Sequence, residues 1–445
     1  MSFQWYASDY TTVRGGIGRF SGGAPSVWVS NSYSNDGVIS DNYQDFGSGQ
    51  TYQVPTTPDA ATGQYIPQNI LDQLANIDPD GDVNALADDF DIPTTWKVSL
   101  GVAHEPEMEE LEGWLFSADV LYNKLENATY WYDQRCENPV STAPDGRGVY
   151  DCSEGPEAIV TSSIDEGDSI LYALSASKAW DTSYGSFDFF TSYTYADVED
   201  IGYGTSSTAT SNYSDFAAYD RQQPQAGTSN FQTEHLWKMR FNWKKELIDG
   251  YETTVSIFAE RRSGQPYSYT FDENNACVLD VGGGRCARES RNDDAGHLLY
   301  VPDGINDPLF AATSFGGDLA AQQEFIDYIN SSELAQYKGG IAERNGDNSR
   351  WSTIIDVRIQ QELPALYPEH KLTVFFDIEN FGNLLNDDWG RIERTRYEYE
   401  RAVVSANIVD GQYEYFDLNS DSRIKNLEVL DQSVWQVQFG IKYDF

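Results

Sequence analysis

The chain closes on WQVQFGIKYDF, residues 435–445. Trp435, Val437, Phe439, Ile441, Tyr443 and Phe445 are apolar or aromatic, and the residues between them are polar, charged or glycine. A period of two is that of a β-strand with one oily and one wet face. The strand runs to the final phenylalanine with no polar tail, so the fold is decided by what kind of sheet needs such an end.

The same alternation recurs upstream. Leu372, Val374, Phe376 and Ile378 oppose Thr373, Phe375, Asp377 and Glu379; Trp237, Met239, Phe241 and Trp243 oppose Lys238, Arg240, Asn242 and Lys244. Ile355, Val357 and Ile359 oppose Asp356, Arg358 and Gln360, and Trp114 through Tyr122 follow the same rule around Asp119. Strands are predicted in pairs: 11–20 with 25–34, 94–105 with 112–124, 168–180 with 184–196, 231–247 with 251–264, 350–364 with 371–383, and 435–445 alone. Within each pair the connection is short. Between pairs lie long polar segments, 35–92, 125–167, 197–230, 265–349 and 384–434.

Tight turns at one end and long loops at the other are the pattern of an antiparallel up-and-down membrane barrel. A β-sandwich more often has short connections at both ends. The runs also exceed the ~5–6 residues of ordinary strands and cover the ~9–11 that a tilted membrane strand needs. The long segments are expected to pack over the barrel mouth and to carry small hairpins or helices. One such segment, 318–337, reads as one or two helices with Phe325, Ile326 and Ile329 on one face.

Composition fits this reading. Mean hydropathy is -0.54, and no stretch approaches the ~18–20 apolar residues of a membrane helix; strands that hide their oily residues by alternation are not excluded. Aromatic residues make up 14% of the 445, which suits girdles at two lipid interfaces. The net charge of -42 excludes nucleic acid as a natural partner. Much of the acid sits in turn-like segments such as 76–91 and 272–280, as solvated loops do.

Four cysteines fall in two close pairs, Cys136 with Cys152 and Cys277 with Cys286. Neither spacing suits zinc, so two loop disulfides formed in an oxidising compartment are expected, with free thiols the alternative. The opening MSFQWYASDYTTVRGG has no charged, apolar and cleavage regions of a signal peptide. Eleven spanning strands is an odd count where bacterial single-chain barrels have even ones. The expectation is therefore a fragment whose N-terminal strands lie outside this chain.

Three stretches carry a family resemblance. VRGGIGRFSGGAPSVWVSNSYSNDG (13–37) looks like a mid-barrel hairpin, FFDIENFGNLLNDDWG (375–390) like a penultimate strand and its turn, and VWQVQFGIKYDF (434–445) like a terminal strand. In this order they resemble the C-terminal half of TonB-dependent outer-membrane receptors, in particular the Oar-like subgroup with a carboxypeptidase-regulatory-like front domain. The resemblance implies a partial transmembrane barrel, the last eleven of twenty-two strands over residues 1–445, in the bacterial outer membrane. It also implies lipid and the barrel-assembly machinery as partners, the latter reading Phe445 as an assembly signal. Loops would bind an unidentified small ligand or oligomer for uptake. The plug domain and TonB box that couple the family to the inner-membrane TonB complex have no counterpart in the sequence, so that contact would run through a missing N-terminal part.

Asp119, Lys238, Arg240, Arg358 and Asp377 are expected to face the lumen. Asp78, Asp80, Asp82 and Asn84 offer oxygen ligands at alternate positions, as calcium loops do, and 417–428 matches the EF-hand offsets except for Ser422 at the glycine position. Solvated turns are the default for both, with calcium the alternative, and no other cofactor is expected. Tyrosines and tryptophans in 128–135 and 394–402 are expected to form interface girdles or loop cores, with stacking on a sugar or siderophore the alternative. No catalytic residue and no enzymatic activity are expected, since GxSxG, P-loop and HExxH motifs are absent. The competing readings are a porin or adhesin barrel without energised transport, and a secreted all-β glycan-binding protein.

Overall fold

The structure is a computed structural model. It describes residues 1–22, 26–34, 81–136, 138–152, 155–202, 204–272, 296–365, 369–395, 399–419 and 427–445, with isolated positions at 37, 57–58, 64–65, 67 and 367.

Eleven strands form one antiparallel sheet in strict chain order. They are β1 (Ser2–Ser8), β2 (Thr11–Ser21), β3 (Thr94–His104), β4 (Trp114–Glu126), β5 (Asp168–Thr182) and β6 (Gly185–Asp200). Then come β7 (His235–Ile248), β8 (Tyr251–Arg262), β9 (Ser352–Pro364), β10 (Lys371–Glu379) and β11 (Gln436–Asp444). A short strand, Gly227–Thr228, pairs with the end of β6. The up-and-down topology with short turns at one end and long loops at the other is as the alternation implies. Among the described residues no pairing joins β1 to β11, so the sheet is open.

One expectation is overturned. Residues 25–34 are not a strand: Ser26–Ser34 is a helix. Its Trp28 packs edge-on against Trp131 at 4.9 Å and donates from the indole N–H to the carbonyl of Ser206 at 2.8 Å. Contacts from other loops thus override the β-preference of Val27 and Val29. The partner of β2 is instead β1, which the sequence reading left unassigned, across the two-residue turn 9–10. The total stays at eleven with one member exchanged.

Register places all the oily rows on one face. Trp180, Phe187, Trp243, Val255, Ile359, Phe376 and Phe439 lie opposite one another across β5 to β11. Among the described residues nothing covers this face: Leu100, Leu174, Val437, Phe439 and Ile441 are each more than half exposed.

The large buried core lies elsewhere, in the long loops. Strands Pro266–Phe271 and Glu400–Val409 pair in parallel, Gln412–Leu418 adds antiparallel, and the helix Leu319–Ser331 packs onto them. Phe325 and Ile329 of that helix are fully buried with Ile326 beside them, which is the face the sequence predicts. Asp318 caps the helix, accepting from the amide of Ala320 at 2.8 Å. Tyr267, Phe271, Val403, Tyr413 and Tyr415 complete this core. No helix is long and apolar enough to cross a membrane among the described residues, which says nothing of strands.

Candidate functional site

The polar face of the sheet is a field of ion pairs. Asp119, Lys238, Arg240, Arg358 and Asp377 all lie on it, and each has a charged partner. Arg14 reaches Asp119 at 2.9 Å, Lys238 reaches Glu260 at 3.5 Å, Arg240 reaches Asp188 at 3.0 Å, and Arg358 reaches Asp377 at 3.4 Å. Neighbouring side chains set the geometry. Asn242 also donates to Asp188 at 2.9 Å, and the Arg358 guanidinium lies 4.6 Å above the Phe375 ring. Phe375 in turn lies over Gly440, where a Cβ would overlap its ring. Exposed pairs of this kind contribute about 0–1 kcal/mol each. Their consequence is less stability than character: this face carries the ion pairs, and the opposite one carries the apolar rows.

Over the loop end of the sheet the cap encloses a cavity of about 440 Å³, within the range of small-ligand sites. Phe216, Tyr219, Pro224, Leu298 and Ile341 supply apolar wall, and Glu199, Asp220, Glu343 and Arg344 supply charge. Arg344 is almost buried and fastens the cavity to the sheet: it donates to Asp200 Oδ1 at 2.9 Å, to the carbonyl of Gly227 at 2.6 Å and to the carbonyl of Asp200. Among the described residues its Nε has no hydrogen-bond partner. Behind the cavity, Tyr150 donates to Asp220 at 2.8 Å, and burial first, then this carboxylate, pushes its phenol well above the ordinary value.

A second buried cation stands in the cap core. Arg147 pairs with Asp145 at 2.6 Å, donates to the carbonyl of Leu298 at 2.8 Å, and lies 5.1 Å from the Tyr219 ring. Both members of the pair are within 1% of full burial, where loss of one partner would strand a charge in a low-dielectric core. Sequence reading missed Arg147 and Arg344. Arg344 bonds to Asp200 and Gly227, and Arg147, besides its local pair, to Leu298, each across more than a hundred residues, which leaves little local signal.

Cys136 and Cys152 are joined by a disulfide. Cys277 and Cys286 lie outside the described residues. Asp133 approaches both sulfurs, but sulfurs bonded to each other are poor metal ligands. Of the suggested calcium ligands, Asp78 and Asp80 lie outside the described residues. Asp82 accepts from the amide of Glu157 at 2.9 Å, and Asn84 is buried within the strand Val83–Leu86. In the second acidic stretch Asn419 turns its amide N–H₂ inward, to Asp272 and to the carbonyl of Ala402; Asp421 lies outside the described residues. Trp131 of the aromatic stretch 128–135 is buried against Ile159 and Ala209, so that residue is loop core.

No protein-family model matches the chain, and no curated protein matches it either. Two solved structures are similar over its whole length. The outer membrane transporter YddB from Escherichia coli shares 9% identity at a TM-score of 0.43, and the chain covers 40% of it. BauA, the ferric preacinetobactin receptor from Acinetobacter baumannii, shares 10% at 0.37, with 36% of it covered. The chain thus spans about two fifths of the length of the structures it resembles.

Proposed function

We propose that this chain is the C-terminal part of a TonB-dependent outer-membrane receptor barrel. Its oily rows contact lipid, its charged rows line a water-filled interior, and its cap takes a small ligand or oligomer from outside. The observation that carries the reading is the division of labour between sheet and loops. The loops hold the buried core, while eleven strands leave one apolar face uncovered.

Magnitudes separate lipid from water as the neighbour of that face. Ten strand spacings of about 4.8 Å make it about 48 Å wide. Aromatic residues mark both ends of its height. Trp114, Trp180, Phe187, Phe241 and Trp243 cluster towards the turns, and Tyr172, Tyr195, His235 and Trp351 towards the loops. Eight residues separate Phe187 from Tyr195, about 26 Å of strand before tilt, beside an apolar band of about 25 Å in membrane barrels. The face therefore covers about 1,200 Å², against about 300–600 Å² for the largest patch of a typical soluble monomer. In lipid the open edges of β1 and β11 would also need partners, since backbone groups there have no water to bond.

Cysteine labelling tests the facing. In outer membranes carrying Phe376→Cys, Asp377→Cys or Ile378→Cys variants, a water-soluble maleimide should modify position 377 and spare its two neighbours. Equal modification of all three would end the lipid reading. Energised transport is tested apart from it: uptake that persists in cells lacking TonB would leave a porin or adhesin barrel.

A further inference from the structure

Against an overall charge of -42, one pocket is basic. It lies where β7, β8 and β9 meet the loops, on the side of the charged face, and encloses about 220 Å³. Arg262 at the end of β8, Arg350 just before β9 and Arg394 from the last long loop all line it, with Glu393 the one carboxylate among the described residues. Three arginines around so small a space bring like charges together, and among the described residues their acidic partners stand at long range. Arg350 reaches Glu393 only at 3.7 Å, and Arg262 reaches Glu260 only at 3.8 Å. Arg394 has no acidic partner among the described residues. Arg262 and Arg350 keep 43% and 59% of their side-chain surface exposed, so both remain available to a ligand.

Local backbone explains why they converge. A Cβ on Gly264 would overlap the carbonyl of Ser349, so the chain leaving β8 and the chain entering β9 run in contact. The amide of Ser349 donates to the carbonyl of Gln265 at 2.8 Å and locks that approach. Arg262 and Arg350 are thereby held on one wall. The third cation arrives on the short strand Glu393–Arg394, which pairs with Leu427–Glu428.

Asn230 also lines the pocket and is 7% exposed. Its Oδ1 accepts from Asn345, and among the described residues its Nδ2 has no partner.

We infer that Arg262, Arg350 and Arg394 form a binding site for an oxyanion, the carboxylate or phosphate group of a small ligand entering from the loop side. Only the direction of entry rests on the receptor reading; the site itself rests on the three guanidinium groups. Arginine suits the task because its planar fork binds two oxygens of one anion at once. The volume admits the anionic group and a few further atoms, so the rest of a larger ligand would lie against the neighbouring loops.

Titration calorimetry on the full chain in neutral detergent micelles tests this, with inorganic phosphate and citrate as separate probes. At least one probe should bind saturably, more weakly as sodium chloride rises. The Arg350→Gln/Arg394→Gln double variant should weaken that binding by about tenfold or more, as loss of charge-assisted bonds requires. Arg350→Lys/Arg394→Lys should fall between, and Lys338→Gln, outside the pocket, should bind as the parent. An unchanged melting temperature of the exposed Arg394→Gln single variant shows that folding is not the cause. No binding of either probe, or equal binding by the double glutamine variant, would overturn the site. Since the micelle measurement is indifferent to where the protein resides in a cell, its failure and that of the membrane reading are separately visible.

Discussion

Arg14 on β2 and Asp119 on β4 form an ion pair at 2.9 Å across the strand that separates them. The residue between them in register is Gly101 of β3. A Cβ there would overlap Asp119 Oδ1 and lie 3.0 Å from Arg14 Nε. The missing side chain is what lets two charges meet over a strand, and it ties three neighbours together on the wetted face.

Gly101→Ala should therefore cost more than strand preference alone predicts. Alanine is ordinarily the better strand residue, so without the pair the change would be neutral or mildly favourable. With the pair displaced, unfolding in micelles should show a loss of about 1 kcal/mol. In an Asp119→Ala background the same change should cost less than half as much. Equal losses in the two backgrounds would mean that Gly101 serves something other than this contact.

The disulfide stabilises the cap and not the sheet. Cys136 and Cys152 are 16 residues apart, and a crosslink closing a loop of that length contributes about 3 kcal/mol in the chain-entropy account. Gln222 adds to the same corner, donating to the carbonyls of Asp133 at 3.0 Å and Cys136 at 3.2 Å. A Cys136→Ser/Cys152→Ser variant should show faster amide exchange over 134–155 and around Gln222, with β4 to β7 unchanged. Faster exchange throughout the sheet would contradict that independence.

The cap should also fail at alkaline pH before the sheet does. Burial first, and then neighbouring tyrosines and carboxylates, holds the Tyr415 phenol well above its ordinary value. Tyr267 and Tyr269 are raised likewise by burial, next to Asp347. Tyr337 is raised to about 12, by burial and then by Glu343, Asp347 and Glu333. A phenol whose folded pKa exceeds its unfolded value of about 10 contributes stability that is complete below pH 10. That contribution is lost as pH rises, for Tyr337 between about 10 and 12. Phenolate absorbance should then rise in one cooperative step above pH 10, coincident with exposure of the cap to protease. Smooth titration with the cap intact would show that these phenols are not buried as described.

How much of this was legible in the sequence depends on the range of the interaction. Leu372 to Ile378 and Val437 to Tyr443 show their faces because each strand repeats the same decision every second residue. Phe325, Ile326 and Ile329 show theirs because one amphipathic helix docks on one core. Val27-Trp28-Val29 misled because its conformation is chosen by Trp131 and Ser206, far along the chain. The tyrosine core was hidden for the same reason: Pro266–Phe271 pairs in parallel with Glu400–Val409, more than 130 residues away, and tyrosines in acidic loops look solvated until their partners are known. Arg262, Arg350 and Arg394 come from three separate parts of the sequence and line one pocket in space.

The last residue separates stability from assembly. Phe445 lies beyond the final strand pair, Lys371 with Asp444, and is 97% exposed. A side chain with so little contact is worth within about 0.5 kcal/mol to the fold. Removing it should leave the melting temperature of micelle-refolded protein unchanged, while the amount recovered in outer membranes falls several-fold. Such a split can only arise if the phenylalanine is recognised during insertion, since the folded state gains nothing from it. Were the truncated chain to reach the membrane at parental levels, the ring would be an ordinary lipid-facing end of the alternation begun at Trp435, with no address in it. A parallel drop in melting temperature would instead assign it a structural contact that its exposure denies.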